Sequence, residues 1–69
     1  MSDDEASRRV RQLLLSGDNT LKNRDDPGRF GRARERFERA RRVAGDAGLD
    51  EGLLEIIDRR LAALPAEDA

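Results

Sequence analysis

Apolar residues recur along this chain at steps of three and four in three separate runs, and that spacing fits amphipathic α-helices and little else. In the first run Ala6, Val10, Leu13, Leu14, Gly17 and Leu21 share one face, an arc of about 100° at 100° per residue. In the second, Phe30, Ala33, Phe37, Ala40, Ala44 and Ala47 do the same, the alanines allowing a neighbouring helix to approach closely around two phenylalanine anchors. The third carries Leu53, Leu54, Ile57, Leu61 and Leu64. The predicted fold class is therefore all-α: a three-helix antiparallel bundle forming a single domain over residues 1–69.

Punctuation sets the expected boundaries. Ser2 and Glu5 are spaced as a capping box, with acids gathered at the positive end of the dipole, so the first helix is predicted over 4–24. Ser16-Gly17-Asp18-Asn19 is a turn-like cluster inside it, which leaves the helix open to a kink at Gly17. Asp26-Pro27 starts the second helix, 27–45, because aspartate caps exposed amides and proline at the first helical position gives up no needed hydrogen bond. Gly45 or Gly48 supplies the left-handed residue that ends it. Asp50 caps the third helix, 51–64, with Leu49 placed to fold over Leu54 as a staple; Pro65 stops it and leaves a disordered tail over 65–69.

Composition narrows the functions open to such a bundle. A chain of 69 residues hides only about 60% of the surface its unfolded form exposes, so stability is thin and docking or dimerisation would add to it. With no cysteine and no histidine, the chain has no thiolate nucleophile and lacks the commonest metal ligand and general base. No catalytic residue, cofactor site or metal site is expected. Asp18, Asp25 and Asp26 lack the alternating ligands and terminal glutamate of a calcium loop, and capping explains them better. No apolar run reaches the roughly 18 residues of a membrane span, and the acidic start Met1-Ser2-Asp3-Asp4-Glu5 is unlike a secretory signal, which gives a cytoplasmic expectation. Charged residues make up 42% of the chain yet cancel to a net charge of −1, without the basic excess of a dedicated nucleic-acid binder.

The spacing of Ala33, Phe37 and Ala40 resembles the small-aromatic-small packing positions in the second helix of a tetratricopeptide repeat. Leu14 and Gly17 compare with the Leu-Gly pair of that repeat's first helix, although Leu15 and Ser16 separate them here. The segment from Leu49 to Leu64 resembles a helix that covers a repeat's open face. Gly17 and Ala33 stand four residues farther apart than their equivalents in the repeat, the first helix lacks the usual aromatics, and no proline closes the unit. The resemblance implies a repeat-like helical hairpin with a C-terminal covering helix, serving as a scaffold that binds other proteins and performs no catalysis.

Once core positions are assigned, a few surface residues remain as candidates. Arg29, Arg32, Arg36 and Arg39 lie along one edge of the second helix within about 80° of arc, with Glu35 and Glu38 on the outer surface. Such an edge suits an acidic protein surface, a phosphate or a nucleic-acid backbone. The plainer reading lays the arginine stems along the helix interface, with the heads paired to acids such as Asp4, Glu5, Glu55 or Asp58. Leu15 falls outside the stripe of the first helix, and Ile56 flanks that of the third beside Arg60. Together they give two helices apolar edges that the core does not use. The expected function is a non-enzymatic protein–protein interaction or dimerisation module, whose partner is a protein or a second copy. Anion or nucleic-acid binding through the arginine edge is the alternative. Nucleic acid is disfavoured because no Tyr or Trp can stack on bases and both phenylalanines read as buried; no membrane and no small-molecule substrate are expected.

Overall fold

The computed structural model describes residues 3–65, which form an all-α bundle of three helices: α1, Asp3–Lys22; α2, Arg29–Asp46; and α3, Glu51–Ala63. The central element, α2, packs more extensively against α1 than against α3, while α1 and α3 meet only slightly. Short connections at 23–28 and 47–50 reverse the chain twice, so α1 and α3 run parallel to each other on the same side of α2. Two contacts show the α2–α3 register: Arg41 pairs with Asp58, and one heptad away the Arg34 guanidinium donates to the Pro65 carbonyl at 3.1 Å.

The expected core is largely present. Ala6, Val10, Leu14, Ala33, Phe37, Ala40, Ala44 and Ile57 are buried, and Leu13, Leu21, Leu53, Leu54, Leu61 and Leu64 pack half-buried around them. Phe30, expected as a second anchor, is only half-buried, with the Arg29 guanidinium 4.5 Å above its ring centre. Val43, absent from the predicted stripe, joins the core from its edge.

No kink interrupts α1. Gly17 is buried, and a Cβ there would stand 2.8 Å from Cζ and 2.9 Å from Cδ1 of Phe37, so the absent side chain is what lets the ring lie against the α1 backbone. The turn-forming neighbours are drawn into other contacts: Ser16 accepts from Arg36, Asp18 from Arg60, and the Thr20 hydroxyl donates back to the Ser16 carbonyl at 2.8 Å. Tertiary contacts thus outweigh the local preference for a turn.

Five of the six boundaries move; α1 begins at Asp3 and α2 ends at Asp46, each one residue outside its expected range. Lys22 ends α1 two residues before the expected position, where the Asn23 amide turns back to the Thr20 carbonyl at 3.2 Å. Arg29 rather than Pro27 begins α2, because Asp26 to Arg29 forms a turn of its own: Asp26 Oδ1 accepts from the Gly28 amide at 2.9 Å and the Asp26 carbonyl from the Arg29 amide at 3.2 Å. At the end of α3, Leu64 takes ψ 139°, the extended backbone that a following proline favours, so Ala63 is the last helical residue.

The caps divide similarly. Gly48, at φ +66°, is the left-handed residue; the Leu49 amide donates to the Ala44 carbonyl at 3.0 Å and the Gly48 amide to Gly45 at 3.2 Å, closing α2 in a Schellman motif. Gly45 lies within the helix. Asp50 occupies the cap position of α3, but its side chain makes no capping hydrogen bond; only its backbone carbonyl is engaged, by the Leu53 and Leu54 amides. Leu49 and Leu54 both lie half-buried against the core. The Ser2–Glu5 capping box and the tail beyond Pro65 lie outside the described residues.

Candidate functional site

The arginine edge of α2 is occupied by the protein's own acceptors. Arg32 pairs with Asp26 in the preceding turn. The Nε of Arg36 donates to the Ser16 hydroxyl on α1 at 2.7 Å, and its Nη1 to the Arg32 carbonyl at 3.3 Å. Arg39 reaches Glu35, one turn back, at 3.4 Å. Arg29 donates to the Arg24 carbonyl at 3.0 Å while its guanidinium lies over Phe30. The partners seen here are not the acids of neighbouring helices that the plainer reading expected: Asp26 in the preceding turn, Ser16 on α1 and Glu35 on α2 itself serve this edge, and Asp58 serves Arg41 instead.

Electrostatic shifts follow those pairings. The Arg32 hydrogen bond, followed by that from the Gly28 amide, holds the Asp26 carboxyl below its ordinary value of 3.8. The Asp58 carboxylate raises the Arg41 guanidinium further above its already high value. Both shifts favour the charged form. A carboxyl kept protonated for acid catalysis would move the other way.

Leu15 and Ile56 are the exposed large hydrophobics, at 63% and 44% of full exposure. They share a landmark. Arg60 on α3 grips Asp18 on α1 with two hydrogen bonds, Nε to Oδ1 at 3.2 Å and Nη2 to Oδ2 at 3.0 Å. Leu15 stands one turn before Asp18 and Ile56 one turn before Arg60. Both aliphatic residues thus stand about one turn before a partner of the bridge, and Leu15 also lines the groove that Ser16 and Arg32 border on the arginine edge. Arg60, read in the sequence only as a basic residue among apolar neighbours, therefore ties the two helices together.

Asp18 is the residue sequence reasoning missed. It reads as a turn or capping acid, and its spacing from Arg60 across two intervening connections offers no local signal for the pair. Among the described residues no group of His, Cys, Asp or Glu is placed to hold a metal ion, no buried side-chain polar atom lacks a hydrogen-bond partner, and no helix is long and apolar enough to cross a membrane. Comparison with protein-family models, curated proteins and solved structures found no match for this chain.

Proposed function

We propose that this protein is a non-enzymatic self-association module in which a second copy covers the face shared by α1 and α3. The observation that carries this reading is the exposure of Leu15 and Ile56, each about one turn before a partner of the Asp18–Arg60 bridge that links α1 to α3. Paired across a twofold axis, such a patch would face its own copy and remove from water apolar area that a bundle this small does not bury alone. The half-buried row Leu53, Leu54, Leu61 and Leu64 adds support, since α3 covers its leucines only in part. The likeness to a tetratricopeptide unit belongs to this proposal too; its support is the close approach of α1 and α2 at Gly17 and Phe37.

Sedimentation equilibrium over micromolar concentrations, at low and high salt, tests the reading. The wild-type chain is expected to form a concentration-dependent dimer that survives high salt, and Leu15→Glu with Ile56→Glu to leave a folded monomer. A wild-type monomer throughout, or a dimer lost with salt and with Arg36→Glu but not with the leucine–isoleucine pair, overturns it, the latter moving the interface to the arginine edge.

A further inference from the structure

At the end of the bundle opposite the chain's start, the last turn of α1, the first turn of α2 and the last turn of α3 enclose a cavity of about 380 Å³. Its apolar lining is Leu21, Phe30, Phe37 and Leu64, and three guanidinium groups, Arg24, Arg29 and Arg60, stand around it with a single carboxylate, Asp18. Among the described residues, three positive charges against one negative leave the lining at +2 in a chain whose net charge is −1. The arginines are not equally engaged. Arg60 is held by Asp18, Arg29 donates one N–H to a backbone carbonyl, and among the described residues the guanidinium of Arg24 makes no hydrogen bond or ion pair.

We propose that this cavity binds a small amphipathic carboxylate of the medium-chain fatty acid class, with the alkyl chain against Leu21, Phe30 and Leu64 and the carboxylate held by Arg24 and Arg29. Size and charge both point there. Ligand cavities start at about 300 Å³, and this one lies only a little above that, which suits a short alkyl chain and its head better than a larger ligand. Half-exposed Phe30 gives the chain an aromatic wall, and the uncommitted Arg24 fork offers the paired hydrogen bonds that a carboxylate accepts. Binding here involves no bond-making step; Arg24, Arg29 and Phe30, which carry it, lie outside the proposed self-association face, whereas Asp18, Arg60 and Leu64 border both.

The test is an amide-resolved NMR titration of the full chain with octanoate, 1-octanol and acetate. Octanoate is expected to shift the amides of Leu21, Arg24, Phe30 and Leu64 saturably, with a dissociation constant of about a millimolar, as suits ten non-hydrogen atoms. 1-Octanol, with the same chain and no charge, should bind about tenfold more weakly, and acetate should leave these amides unmoved. Arg24→Gln, at an exposed residue whose side chain holds nothing in the fold, should weaken octanoate about tenfold without altering 1-octanol. No saturable shift with octanoate, equal affinity for 1-octanol, or octanoate binding indifferent to Arg24→Gln would overturn the proposal.

Discussion

Between α1 and α2 the contact is made by small residues: Gly17, Ala33, Ala40 and Ala44 bring the two backbones together around Val10, Leu14 and Phe37, and all of these are buried. Between α2 and α3 the apolar contribution of α3 is large residues, yet only Ile57 is buried there while Leu53, Leu54, Leu61 and Leu64 keep part of their surface in water. Small side chains let helices close on each other completely. Large ones hold helices apart, and in a bundle of three there is no fourth element to cover the flanks left open. One seam is completed within the chain, and the other leaves apolar surface in water.

Truncating the centre of each seam should break the comparison most visibly. Phe37→Ala removes the ring that fills the α1–α2 contact, at a cost of about 3–5 kcal/mol, which equals the stability a domain of this size commands; its cooperative thermal transition by circular dichroism should vanish. Leu61→Ala, at a half-buried position on α3, should cost about 1–2 kcal/mol and leave a measurable transition. Equal losses would show that α3 is as tightly packed as α1.

Gly17→Ala sharpens the same contrast. In a free helix the change would stabilise by about 1 kcal/mol, but here the new methyl falls well inside contact distance of the buried Phe37 ring, which must give up its packed position, so a net loss of about 1–3 kcal/mol is expected. Combined with Phe37→Leu, which shortens the obstacle, Gly17→Ala should cost markedly less than it does alone. Gly48→Ala, which strains a left-handed backbone but meets no neighbouring atom, should cost about 1 kcal/mol. Gly45→Ala, in an exposed helical position with open space around it, should raise the melting temperature slightly.

The smallest effect concerns the turn that joins the two halves of the closed seam. Because Arg32 and the Gly28 amide lower the Asp26 carboxyl in the folded state, the unfolded chain takes up that proton at a higher pH than the native one. The turn's contribution is therefore complete above the ordinary value of 3.8 and lost as pH falls through the lower folded value. In thermal melts across acid pH, Asp26→Asn should melt below wild type at neutral pH, and the gap should close on acidification below 3.8.

How much of this was legible in the sequence depends on how local each contact is. The buried stripes of α1 and α2 follow from periodicity alone, since residues three and four apart share a face whatever the partner. The continuity of α1 through Ser16-Gly17-Asp18-Asn19 does not, because the contacts that hold it come from Phe37, Arg36 and Arg60, distant in sequence. The arginine edge shows the same limit. Its geometry on α2 was readable, whereas its neutralisation depended on a turn that places Asp26 ahead of the helix and on Ser16 facing it from α1. Leu15 and Ile56 stood out individually as exposed, whereas the Asp18–Arg60 bridge that links their helices had no local signal.

The most direct test of the open seam is an amide-resolved NMR dilution series of the wild-type chain. If a second copy covers the face between α1 and α3, amides around Leu15, Asp18, Ile56 and Arg60 shift together as the protein is concentrated, while those of Glu35 and Glu38 on the outer surface of α2 stay fixed. Concentration-dependent shifts confined to Arg32, Arg36 and Arg39, or none at all, would contradict the account.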